Sequence, residues 1–135
     1  MSFKITGSGS CIPSVVQDND TFLNHSFYDE SGGEFGVDNQ TIIEKFNSIT
    51  GIDQRKYIPA KLTTSDIAYQ AAKNAIKDAD IDPETLDYII VAHNFGDITC
   101  NSKQIDNLPS LASRVKAKLK IKNPECVAYD ILFGC

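Results

Sequence analysis

The run Cys126-Val127-Ala128-Tyr129-Asp130-Ile131-Leu132-Phe133 limits the folds open to this chain more than any other stretch. It is far shorter than the roughly 20 apolar residues of a membrane span, so it reads as a buried strand, running into Gly134 and Cys135. A second continuous apolar run, Tyr88-Ile89-Ile90-Val91-Ala92, has the mark of a strand covered on both faces. Segments of helical period precede each run. Ile67, Ala68, Ala71, Ala72, Ala75, Ile76 and Ala79 recur at helical spacing after an opening at Thr64 or Ser65. This stripe is mostly alanine, and small residues let a helix lie tight against a sheet or a second helix. A further helix is expected after an Asn107 cap, with Pro109 near its first turn and Leu108, Leu111, Ala112, Val115 and Leu119 as its buried stripe.

The first half is less regular. Phe3-Lys4-Ile5-Thr6 reads as a strand entering a Gly7-Ser8-Gly9-Ser10 turn. The glycines suggest a dinucleotide fingerprint, but Ile12 stands where its third glycine belongs and Pro13 follows instead of a helix. A tight strand-exit turn is the preferred reading. From Gln17 to Asn39 turn formers alternate with Phe22, Leu23, Phe27, Tyr28 and Phe35. This predicts a short helix near Thr21 to His25 and then an ordered loop. Asn39 is expected to cap a helix carrying Ile42, Ile43, Phe46 and Ile49, with Gly51 just past its end. Ile52 to Ile58 alternates like a short strand. Strands alternating with helices imply right-handed crossovers and an α/β fold, a largely parallel or mixed sheet with helices on both faces.

At 135 residues the chain has the length of one domain and can bury a core. A net charge of -5 gives no basic field to attract nucleic acid. The N-terminus lacks the apolar stretch of a signal peptide. The expected compartment is therefore the cytoplasm, with the four cysteines as free thiols. None forms a C-x-x-C pair, so neither a metal site nor a redox motif is indicated.

The chemistry is expected at the end of the last strand. A thiol at the carboxyl end of a parallel strand lies where open α/β sheets bind and transform their ligands. A helix following Cys135 would point its N-terminus at the sulfur and favour the thiolate, and the backbone N–H groups of such an elbow suit an oxyanion. Cys135 is thus the candidate nucleophile, and the chain is expected to be the front half of a larger enzyme, cut at that residue. The bland reading, a small buried hydrophobe, applies to each cysteine. His93, Asn94, Asp97, Thr99 and Cys100 form a polar loop after the Tyr88 strand and are candidates to line a site; a solvated loop is the alternative for each. Arg114, Lys116, Lys118, Lys120 and Lys122 are expected to crowd the far end of the last helix, as a solvated cationic end or as a dock for an acidic partner.

Gly7-Ser8-Gly9-Ser10-Cys11-Ile12-Pro13, Thr50-Gly51-Ile52-x-x-Arg55, the alanine helix, Tyr88-Ile89-Ile90-Val91-Ala92, Leu108-Pro109-Ser110 and Asp130-x-x-x-x-Cys135 occur in one order. In that order and spacing the chain resembles the N-terminal half of a β-ketoacyl-acyl-carrier-protein synthase III, within the thiolase-like superfamily. The resemblance implies a thiolase-like half-domain over residues 1–135, with an irregular insertion at about 17–40. It also implies decarboxylative condensation of an acyl group on Cys135 with malonyl-acyl carrier protein, in fatty-acid or related lipid or polyketide synthesis. The catalytic histidine and asparagine would lie outside this sequence, and His25 and His93 do not replace them. No cofactor is implied, only acyl thioesters of acyl carrier protein or coenzyme A. Acetyl-coenzyme A-primed members carry a tryptophan and an arginine where Lys45 and Ile49 stand here, which favours a protein-bound donor. Leu108 matches a bulky residue that reaches the acyl pocket of the partner subunit, so a homodimer and a selectivity role for Leu108 are implied. The isolated chain is expected to be inactive. A non-catalytic partner subunit of this fold and a complete small α/β binding domain are the other readings.

Overall fold

The computed structural model describes residues 2–99, 102 and 104–133. They fall into two compact units, Ser14–Tyr57, and Met1–Pro13 with Ile58–Cys135. Each has its own sheet.

In the smaller unit, β1 (Val15–Asp18) pairs antiparallel with β2 (Gln54–Tyr57), Val15 opposite Tyr57 and Asp18 opposite Gln54. A 3-10 turn, Asn19–Phe22, stands where a short helix was expected slightly later, because Asp18 caps it by accepting the Thr21 N–H at 3.1 Å. The loop that follows is ordered by Asp29, whose carboxylate accepts N–H groups of Ser31 and Gly33 and the Ser31 hydroxyl. Helix α1 (Asn39–Thr50) is capped one residue earlier than expected, by Asp38, which takes the Thr41 N–H at 3.0 Å. Asn39 instead donates its amide to the carbonyls of Leu23 and His25. Gly51 closes α1 at φ 64°, a left-handed conformation that suits glycine. Of the apolar stripe on α1 only Ile43 is buried, while Phe46 and Ile49 are exposed.

In the larger unit, β3 (Tyr88–His93) and β4 (Val127–Leu132) are parallel, in register from Tyr88 opposite Val127 to His93 opposite Leu132. Helix α3 (Leu111–Leu119) packs on one face of this pair, and α2 (Thr64–Ala79) packs on α3. The core sits under α3, where Leu111 and Ala112 are 0% exposed and Val115, Ile121 and Cys126 are buried around them. The α/β class is the expected one, with parallel and antiparallel pairing both present. The opposite face of the β3–β4 pair carries Tyr88, Ile90, Val127, Tyr129 and Ile131, all exposed among the described residues. Tyr88 and Tyr129 meet there edge to face.

Two further sequence expectations are corrected. Phe3 to Thr6 forms no strand; no neighbour among the described residues supplies the ladder a strand needs, and Phe3 is 94% exposed. The glycines that follow serve close approach to α2. A Cβ on Gly7 would lie 2.5 Å from the Ala79 nitrogen, and one on Gly9 would lie 2.6 Å from the Ala71 oxygen. The alanine stripe thus receives an extended backbone segment, held also by Ser8 N–H to Asp78 and by Asn74 to the Ser10 carbonyl. Second, Asn107 is not the cap of α3. Ser110 is, accepting the Ser113 N–H at 3.1 Å, and Pro109, joined to Leu108 by a cis peptide bond, precedes the cap.

Candidate active site

The carboxyl ends of β3 and β4 meet the N-terminus of α3, and polar side chains converge at that junction. Asp130 sits in β4 in an otherwise apolar run. Its carboxylate accepts the first N–H groups of α3, from Leu111 at 2.7 Å and Ala112 at 2.8 Å. These are donors that a helix cannot satisfy from within. Its Oδ2 also lies 3.0 Å from His93 Nε2. Gly96 N–H donates to His93 Nδ1 at 2.9 Å, so Nδ1 is the acceptor and Nε2 carries the proton given to Asp130. Burial raises the Asp130 pKa, but the bonds from Ala112, His93 and Leu111 outweigh it and hold the carboxyl below its ordinary value.

A second cluster adjoins the first. Asp97, 5% exposed, accepts both the N–H and the hydroxyl of Ser65 at 2.7 Å. Arg114 Nη1 reaches the same carboxylate at 3.1 Å and Nη2 reaches Asp106 at 2.8 Å. Arg114 holds the Asp106 carboxyl below its usual range, and the guanidinium is itself pushed up by that contact. Asp97 and Asp106 also exchange backbone hydrogen bonds, each 2.9 Å. Gly96, at φ 68°, turns the chain from β3 into this bridge. A Cβ there would overlap the Asn107 side chain and approach the Asp106 oxygen at 2.7 Å.

The residues named from sequence divide as follows. Cys135, and Cys100 of the polar loop, lie outside the described residues. Leu108 is 84% exposed. His93 and Asp97 are bound into the two clusters, not solvated; Asn94 and Thr99 are exposed. Lys116 donates to the carbonyls of Asn123 and Cys126, and Lys118 pairs with Asp66 at 2.7 Å, so part of the cationic helix end is used within the fold. Lys45 and Ile49 line an apolar cavity of about 320 Å³ with Phe27, Phe35, Val37 and Phe46. Among the described residues no three side chains of metal-ligating type gather, and no helix is long and apolar enough to cross a membrane.

Asp130 and Arg114 are the residues whose importance the sequence reading missed. Asp130 had a signal, since a charge inside a buried strand must find partners. Arg114 had another: a cation in the first turns of a helix opposes the dipole unless a carboxylate faces it.

Beyond the last strand, Phe133 adopts φ 53°, and its N–H donates to the His93 carbonyl at 3.1 Å. A non-glycine residue held in the left-handed region is strained, and such residues cluster at functional sites.

No protein-family model matches the chain. Curated relatives match it end to end. It is 33% identical over 135 residues to β-ketoacyl-[acyl-carrier-protein] synthase III 1 of Vibrio vulnificus, 37% to that of Vibrio parahaemolyticus, and 35% to the synthase III of Staphylococcus haemolyticus. The aligned chain spans 35–36% of those relatives, about a third of their length. Among solved structures, 3-oxoacyl-[acyl-carrier-protein] synthase III of Aquifex aeolicus superposes with a TM-score of 0.68 at 28% identity, covering 96% of this chain and 34% of that one. The priming β-ketosynthase of the R1128 polyketide pathway gives a TM-score of 0.69 at 18% identity over 96% of this chain and 32% of its own, a likeness of fold alone. In sequence the chain is similar to β-ketoacyl-acyl-carrier-protein synthases III, of which it spans about a third, and its α/β fold is similar to the matching part of a solved synthase III.

Proposed function

We propose that this chain carries the nucleophile of a cytoplasmic condensing enzyme, a 3-oxoacyl-acyl-carrier-protein synthase that works as a homodimer. The observation that carries this reading is the match to synthases III along the whole chain. The Cys135 thiolate attacks the carbonyl carbon of an acyl thioester. The carbon–sulfur bond to the carrier breaks, the carrier leaves as a thiolate that takes a proton from solvent, and the acyl group stays on Cys135. Malonyl-acyl carrier protein then loses carbon dioxide. The electron pair of the broken bond forms an enolate, which attacks the acyl carbonyl. Expulsion of the Cys135 thiolate gives the 3-oxoacyl product on the carrier. A histidine and an asparagine outside this sequence stabilise the enolate and the thioester oxygen.

Local geometry agrees with the assignment. The Asp130 carboxylate ties β4 to the start of α3, and the strained turn at Phe133 begins two positions before Cys135. A sharp strand exit of this kind exposes the nucleophile in other elbow enzymes. The acyl donor is carried on acyl carrier protein and not on coenzyme A. Lys45 and Ile49 offer neither an aromatic face nor a guanidinium, and the cavity they line is apolar. Leu108, exposed on this chain, projects into the acyl pocket of the second subunit.

The test is covalent labelling of the intact protein with a radioactive acyl thioester of acyl carrier protein. Label on the unmodified protein and none on Cys135→Ala is the expected result. Full labelling of Cys135→Ala overturns the assignment.

A further inference from the structure

We propose that Arg114 is a positioning residue for Leu108, and through it for acyl-chain selectivity. This rests on the reading of Leu108 as an acyl-pocket residue. Leu108 is 84% exposed, so packing among the described residues does not fix its side chain. Its place is set by its backbone, and that backbone is held at both polar groups. Arg114 Nη2 donates to the Leu108 carbonyl at 3.0 Å, and Arg114 Nε donates to the next carbonyl, Pro109, at 2.9 Å. The Leu108 N–H donates to Asp106 at 3.3 Å, and the same carboxylate receives Arg114 Nη2 at 2.8 Å. Guanidinium, carboxylate and the Leu108 peptide groups therefore form a closed ring.

The ring is anchored below. Arg114 Nη1 binds the buried Asp97, which Ser65 holds from α2. Every nitrogen of Arg114 is engaged, and the planar fork meets two carbonyls and two carboxylates at once. A lysine offers one rotatable ammonium on a flexible stem and cannot hold this set. A small displacement of Leu108 changes the depth of the pocket it enters. A change of methylene scale in an apolar pocket alters discrimination by about 10- to 200-fold.

The experiment is steady-state condensation by the full-length synthase, with malonyl-acyl carrier protein and either butyryl- or octanoyl-acyl carrier protein. The readout is the ratio of kcat/KM for the two donors, since a purely structural defect lowers both rates together. Leu108→Ala, Arg114→Lys and Asp106→Ala are expected to move the ratio in the same direction, the last two by about tenfold. Asp106→Ala removes an exposed carboxylate, so it keeps the test open if Arg114→Lys fails to fold. A ratio that moves in Leu108→Ala but stays within about twofold in Asp106→Ala and any folded Arg114→Lys overturns the positioning role. An unmoved ratio in active Leu108→Ala removes the pocket residue and the proposal with it. Absence of 3-oxoacyl product from the unmodified protein defeats the condensing-enzyme reading instead.

Discussion

The Asp130 carboxylate and the His93 ring are bonded at 3.0 Å across neighbouring parallel strands, and the same carboxylate caps α3. One side chain thus joins β3, β4 and the central helix at the end of the sheet from which the candidate nucleophile follows.

Replacement of Asp130 should expose this dependence in acid. The folded carboxyl titrates below its ordinary value. Its contribution is therefore complete above the unfolded value of about 3.9 and is lost as pH falls through the lower folded value. Asp130→Asn should cost about 1.5–3 kcal/mol near neutrality, the scale of a hydrogen bond to a charged group. Urea unfolding between about pH 2 and 6 should show a weaker acid dependence in the variant than in the parent.

Gly96→Ala should destabilise the chain by at least about 2 kcal/mol. It adds left-handed strain and forces a methyl group into Asn107 and the Asp106 backbone. Thermal unfolding checks this; an unchanged midpoint would contradict the packing at the Asp97–Asp106 bridge.

Phe133→Gly should act in the opposite direction. Phe133 is 72% exposed and holds φ 53°, so glycine removes strain while losing little packing. A gain of up to about 1 kcal/mol is expected by urea unfolding.

The purified 135-residue chain should not turn over acyl and malonyl thioesters, because the proposed histidine and asparagine are not among its residues. Product in a radiochemical condensation assay would refute the assigned division of catalytic roles.

Much of the fold was legible locally. The period of Ile67 to Ala79 placed α2, the Tyr88 and Val127 runs placed the parallel strands, and Gly51 marked the end of α1. The expected strand at Phe3 failed because a strand depends on a neighbour, which a local pattern cannot supply. The expectation of cover on both faces rested on apolar content. Such content records what a strand can bury, whereas Tyr88 and Ile90 are exposed among the described residues. The cap of α3 moved from Asn107 to Ser110, where Asp130 supplies the acceptor for the first helical donors.

The sequence by itself determined the three helices, the two parallel strands and the likeness to synthases III, because periodicity and motif order are properties of the chain read along its length. Tertiary structure alone decided the partners of the polar groups. His93 and Asp130 are 37 positions apart, and Ser65 and Asp97 are 32 apart. No local signal pairs such residues. They meet because burying the apolar faces of α2, α3 and the sheet brings their charged and hydrogen-bonding groups to one edge, where each must find a partner.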